Sequence, residues 1–186
     1  MKVIGITGSI GSGKSTVAQL IAKKKYPLFS ADRVVSELYK NNKFVKLLVK
    51  KFNLNDKKNI KRSIKLIVKK SRGKLEILEK IIHPLVRKKM NIFLKINKKI
   101  LILEIPLLVE NKLTKCFDKV IFVDAKKKLR LKRFLKQNKD KETFEILNNR
   151  QLSPAIKKKF CDTVVNNDYS LAILKKNVKK FMRSYE

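Results

Sequence analysis

The sequence predicts an α/β fold built on a five-stranded, mostly parallel sheet, and three observations predict it. Short apolar or β-branched runs alternate with stretches whose apolar residues fall at helical spacing. The first run passes through a glycine-rich turn straight into a helical pattern. Two later runs, "ILILEI" (residues 100–105) and "KVIFVDA" (residues 119–125), are apolar nearly throughout, as a parallel strand covered on both faces must be.

The elements follow in order. "KVIGIT" (residues 2–7) is a β-branched strand halted by glycines, and the helix behind it carries Val17, Leu20 and Ile21 on one face. "YPLFS" (residues 26–30) is a second short strand after a proline break. Residues 32–98 show helical spacing, as at Leu75, Leu78 and Ile82, and no good strand. That block is too long for one crossover helix and is expected to form a helical insertion. After the third and fourth strands, Ser153-Pro154 reads as an N-cap followed by proline at the first helical position. "TVVNN" (residues 163–167) supplies the fifth strand. A final helix presents Leu171, Leu174, Val178, Phe181 and Tyr185 on one face, expected to pack into the core.

A chain of 186 residues suits one domain with a small insertion, and 44% hydrophobic residues supply a core despite 34% charged ones. The net charge of +33 has two explanations, a phosphate-rich partner or compositional drift. Lysine is scattered along the whole length rather than gathered into a tail or an arginine-rich strip, which favours drift. No specific nucleic-acid partner is therefore expected. Cys116 and Cys161 stand alone without a CxxC pair, as buried or half-buried free thiols in a reducing compartment would. No long apolar run is present, so the chain is expected to be cytoplasmic and without a membrane partner; separately, it is expected to act as a monomer.

Four of the five glycines (Gly5, Gly8, Gly11, Gly13) lie within nine positions, where a phosphate is expected to approach the backbone. Gly8 to Ser15, "GSIGSGKS", fits G-x-x-x-x-G-K-[ST] in full, and it lies between a strand and a helix as that motif requires. Glycines let backbone N–H groups close around phosphate oxygens, and the following helix aims its N-terminal N–H groups at the same anion. Lys14 is expected to reach the β- and γ-phosphates, Ser15 to ligate Mg²⁺, and Thr16 to contact the α-phosphate, with Ser12 inside the loop. The chain therefore binds ATP or a similar nucleoside triphosphate. In a parallel sheet, functional residues gather at the carboxyl ends of strands, where Asp32, Glu104 and Asp124 lie. Asp32 is open to two readings: acceptor of the proton from an attacking hydroxyl, or N-cap of the helix over residues 33–39.

With "GITGSIGSGKSTVA", "SAD", "IIHPLVR", "EIPLLVE" and "RQLSPAIKKKFCDTVVNN" in this order, the chain resembles dephospho-CoA kinases over essentially its whole length. The P-loop is shared by many families, whereas "IIHPLV" followed by "IPLLVE" is far more discriminating. The resemblance implies ATP-dependent phosphorylation of the ribose 3′-hydroxyl of dephospho-CoA, the last step of coenzyme A synthesis. It implies a nucleotide-binding core (residues 1–31, 99–128 and 152–186), a helical substrate domain (32–98) and a small lid (129–151). By position, Asp32 matches the family's proposed general base. Arg62, His83 and Pro84 match residues expected near the CoA-side substrate, although a lone histidine before proline is more often structural. Glu104 matches an acidic position suited to Mg²⁺ or its water shell. Pro106-Leu107-Leu108 and Glu110 match the family's "PLLfE", with the leucines read as core.

Three departures stand out. Ser30 replaces the first aspartate of the family's "DAD". Gln137-Asn138 stand where the lid usually has an arginine and an aspartate, leaving Arg133 as the best-placed substitute, ahead of Arg130 and Arg150. Asn166 stands where aspartate is more usual, while Asn167 matches. The alternatives are a P-loop kinase of another small hydroxyl or nucleotide substrate, a nucleic-acid-associated P-loop ATPase, and a nucleotide-binding module without catalysis.

Overall fold

The computed structural model describes residues 1–23, 25–54 and 59–185. Its centre is strand β1 (Lys2–Gly8), buried from its second residue onward because Val3, Ile4 and Ile6 are apolar and both neighbouring positions in the sheet are occupied. Four further strands are described: β2 (Leu28–Ser30), β3 (Ile100–Glu104), β4 (Lys119–Asp124) and β5 (Thr163–Asn166). All pairings are parallel, in the order β2-β3-β1-β4-β5. The chain thus steps from β1 to either side, so the crevice at the carboxyl end of β1 is the natural ligand position in such a sheet. The predicted strands are present, with β1 longer by Gly8, β2 shorter by its first two residues, and β3, β4 and β5 each shorter by the last.

The continuous apolar run of β3 has its expected cause, since all five of its residues are buried. Ile4, Ile6, Ile102, Ile121, Val123 and Val165 form one cluster with Val17, Ala18 and Ile21 of helix α1 (Lys14–Ala22). Helix α9 (Leu171–Arg183) adds Leu174, Val178, Phe181 and Met182 to the same cluster, with Tyr185 packed against it beyond the helix end. Leu171 departs from the predicted stripe: it is exposed in the first turn, behind the Ser170 cap and before the helix meets the sheet.

Two compact units divide the chain, one formed by 1–30 with 96–186 and the other by 31–95. The second unit has its own core. Helices α2 (Ala31–Leu38), α3 (Asn42–Phe52), α4 (Ile60–Lys70) and α5 (Arg72–Phe93) fill it, burying Phe44, Leu48, Phe52, Ile60, Ile64 and Leu78. No strand is described in this stretch, so the predicted helical block is helical. The first unit also contains α6 (Lys127–Leu135), α7 (Lys141–Asn149) and α8 (Pro154–Lys159). Helix α8 starts as its sequence predicts, with the Ser153 side chain accepting from the Ile156 N–H and Pro154 in the first turn. Among the described residues, no helix is long and apolar enough to cross a membrane.

Gly5 has a different reason from the other clustered glycines. A Cβ there would lie 2.9 Å from Leu108 Cδ1 and 2.9 Å from Phe117 Cγ, so packing beneath β1, not phosphate, excludes a side chain.

The cysteines also depart from expectation, because Cys116 is exposed while only Cys161 is half-buried. Burial pushes the Cys161 thiol up to about 11; Asp162 and Glu110 push the same way, and Lys157 opposes them. Because a raised thiol pKa leaves only about a thousandth of the group as thiolate at pH 8, Cys161 should react slowly. Titration of the folded protein with a chromogenic disulfide is expected to show one fast thiol, abolished by Cys116→Ser. A second equally fast thiol would contradict the assignment.

Candidate active site

The phosphate loop runs from the end of β1 to the start of α1. Gly11 has φ 73° and Gly13 has φ 93°, left-handed conformations that L side chains rarely adopt. Space is equally decisive. A Cβ on Gly11 would come within 2.5 Å of the Arg130 carbonyl oxygen, and one on Gly13 would strike the Asn167 side-chain amide. Gly13 is the N-cap of α1 and makes no side-chain cap, and the first turn has no acidic residue. The N-terminus of α1 thus carries no side-chain cap and no carboxylate of its own to compete with an anion.

Lys14 is buried, and its ammonium donates to the Ser9 carbonyl at 3.1 Å, across the loop. Ser15 and Thr16 are exposed on the first turn of α1. The Ser15 hydroxyl donates to Glu104 Oε1 at 2.6 Å. Glu104 ends β3 and is buried, aligned with Ile6 of β1 on one side and Ser30 of β2 on the other. A hydroxyl and a carboxylate side by side are hard oxygen donors that fit Mg²⁺, which usually takes one or two protein oxygens besides phosphates and water. Asp124, at the end of β4, pairs with Lys158 at 2.5 Å and so is held toward α8.

Ser12 lies in the loop fully buried, with its hydroxyl unpartnered among the described residues. Its carbonyl oxygen accepts from Asn167 Nδ2 at 2.8 Å and from Arg133 Nη1 at 3.5 Å. Arg133 Nη2 in turn donates to the Asn167 carbonyl at 2.7 Å. Arg133 thus stands on α6 directly against the phosphate loop. Arg130 is buried and lies one turn earlier. Its Nε donates to the Ala125 carbonyl, and its Nη1 to the Ile10 carbonyl and to Asn148 Oδ1. Burial pulls the Arg130 pKa below its usual value, opposed by Asp124 and Glu145. Arg130 is spent on holding the loop, and Arg150 is exposed at the C-cap of α7. Gln137 and Asn138 are exposed between α6 and α7, and Asn138 has φ 55°.

The remaining candidates belong to the helical unit. Asp32 is exposed in the first turn of α2, which begins at Ala31. Asp32 is therefore inside the helix and not its N-cap, because the chain turns helical immediately after Ser30. Arg62 is exposed on α4; His83 is half-buried and Pro84 exposed on α5. His83 and Pro84 lie inside this 22-residue helix, so the histidine does not cap a helix end. Sequence reasoning missed Arg130 and Gln151 as holders of the loop, because spacing carries no signal for contacts 120 and 141 residues apart.

The sequence pattern of the dephospho-CoA kinase family matches residues 2–172. A dephospho-CoA kinase of Bartonella henselae is 36% identical over 179 residues, covering 92% of this chain and 91% of the relative. A solved protein of Thermus thermophilus is 28% identical with a TM-score of 0.81, covering 100% of this chain and 98% of that one. The dephospho-CoA kinase of Campylobacter jejuni, at 24% identity and TM-score 0.67 over 98% and 96% of the two chains, shares the fold.

Replacing Gly11 by alanine adds backbone strain, typically about 1–2 kcal/mol, to the clash with Arg130. Gly11→Ala is expected to weaken ADP binding in calorimetry by tenfold or more, about 1.4 kcal/mol. Unchanged affinity would show that the loop adapts.

Proposed function

The chain belongs to the dephospho-CoA kinase family, and from that premise we propose how its residues divide the work. The activity itself is ATP-dependent phosphorylation of the ribose 3′-hydroxyl of dephospho-CoA, the last step of coenzyme A synthesis. One observation carries the site proposal: the Ser15 hydroxyl and Glu104 carboxylate meet at 2.6 Å at the mouth of a complete phosphate loop.

Gly8, Gly11, Ser12 and Gly13 supply the backbone nest for the ATP phosphates, and Thr16 adds a hydroxyl. Lys14 leaves the Ser9 carbonyl for the β- and γ-phosphates, exchanging a neutral acceptor for a charged one. Ser15 and Glu104 would hold Mg²⁺, which would supply neutralising charge to the phosphates. Arg133 stabilises charge on the transferred group. A guanidinium has five N–H donors, so Arg133 can face a phosphate oxygen while anchored on Ser12 and Asn167.

Residues 32–98 form the substrate domain, with Arg62, His83 and Pro84 on the CoA side, and residues 129–151 form the lid. Asp32 orients the ribose hydroxyl and takes its proton; its exposed place in the first turn of α2 leaves the carboxylate accessible to an acceptor. Lid closure excludes water, so that ATP is not spent on hydrolysis. The free cysteines fit a reducing compartment such as the cytoplasm. The chain acts as a monomer without a specific nucleic-acid partner, and gel filtration at the mass of one chain would support the monomer.

ADP release is expected to rise with dephospho-CoA over the no-acceptor background and not to rise with RNA; stimulation by RNA alone would overturn the reading. Asp32→Asn is expected to lower kcat by 10²-fold or more, in the range of general-base contributions, while ADP still binds. Turnover near that of the parent would remove Asp32 from the role of base.

A further inference from the structure

A glycine-rich loop is a poor keeper of its own shape. Ile10 stands between Gly8 and Gly11, and its peptide groups are fixed from outside the loop. The Ile10 N–H donates to Gln151 Oε1 at 2.8 Å, and the Ile10 carbonyl accepts from Arg130 Nη1 at 3.2 Å. Without an acceptor at Gln151, this N–H can turn toward the phosphate nest and alter the pattern of donors the nucleotide meets.

What holds Gln151 is itself informative. The residue lies in the bend between α7 and α8, where its own N–H reaches only the last turn of α7, at the Asn148 carbonyl. Its neighbour Leu152 donates its N–H to Glu110 Oε1 at 3.1 Å. The same oxygen lies 2.7 Å from the ammonium of Lys157, a side chain with no exposed surface. Glu110 Oε2 is buried and unpartnered among the described residues, so the carboxylate is oriented through Oε1. A carboxylate held by a buried ammonium does not swing freely, and it grips the backbone one residue from Gln151.

We propose that Gln151 is a positioning residue for the phosphate loop, and that Glu110 and Lys157 act through it. The "IPLLVE" motif then contributes to nucleotide binding through its last residue, at one remove from the phosphates. This rests on reading the loop as the ATP site and is independent of which hydroxyl receives the phosphate.

The test is ADP affinity by calorimetry without acceptor, followed by KM for ATP and for dephospho-CoA. Gln151→Met keeps length and loses the acceptor; it is expected to weaken ADP binding about three- to tenfold, the scale of one hydrogen bond. KM for ATP should rise with it, while KM for dephospho-CoA stays within about twofold. Gln151→Glu retains an accepting oxygen and should restore most of the affinity. Glu110→Gln should weaken ADP binding in the same direction, and adding Gln151→Met to it should cost less than the two changes summed. Unchanged ADP affinity in Gln151→Met, or an equal rise in both KM values, would overturn the proposal. So would strict additivity of the two sites. If the Glu110 variant does not fold, the contrast between Met and Glu at position 151 decides alone. A parent enzyme that binds ADP but ignores dephospho-CoA would contradict the acceptor, not this inference.

Discussion

The phosphate loop must present bare backbone to an anion, and bare backbone cannot brace itself. Gly11 and Gly13 sit in left-handed conformations with no room for a Cβ, so the loop has traded side chains for access. Its peptide groups are then fixed by side chains that arrive from far along the chain. Arg130 and Gln151 take the two sides of Ile10, while Asn167 and Arg133 take the Ser12 carbonyl. These four contacts explain why α6, the bend after α7 and the end of β5 must all converge on β1. A parallel sheet with β1 at its centre is the topology that brings them there.

Charge is handled in the same way, by separating what faces water from what is enclosed. With 48 Lys and Arg against 15 Asp and Glu, most basic side chains must be left in water, and α9 does so with Lys175, Lys176, Lys179 and Lys180. Among the described residues Lys14, Arg130 and Lys157 are the buried exceptions, and each is placed against oxygen: Lys14 on the Ser9 carbonyl, Arg130 on the Ala125 and Ile10 carbonyls, Lys157 on the Glu110 carboxylate. An enclosed ammonium is tolerated only with such a partner. The two lysines therefore mark the phosphate loop and the anchor of the segment that supports it. Scattered surface charge raises the potential for any anionic ligand without choosing one.

The helical unit obeys a separate logic. Its core of Phe44, Leu48, Phe52, Ile60, Ile64 and Leu78 is made of its own residues. Pro84 sits inside α5 without ending it, and it is exposed, so the helix passes through the "HP" pair. Proline removes its own N–H and its ring crowds the carbonyl four residues earlier, at Lys80, yet the helix continues on the bonds of its neighbours.

The sequence by itself determined the strands, the helical block, the phosphate loop and the family, because each rests on local pattern or on ordered motifs. Periodicity of two or of 3.6 residues is written into consecutive positions, and so is the need for glycine beside a phosphate. It misjudged Leu171, Cys116 and Gly5, whose environments depend on what packs above them: water over Leu171 and Cys116, and Leu108 with Phe117 against Gly5. Only the tertiary structure decided that Arg130 braces the loop while Arg133 stands against it, and that Glu110 joins Lys157. A side chain's partner is set by which strand ends the sheet brings together, and no spacing along the chain encodes a contact 120 or 141 residues away.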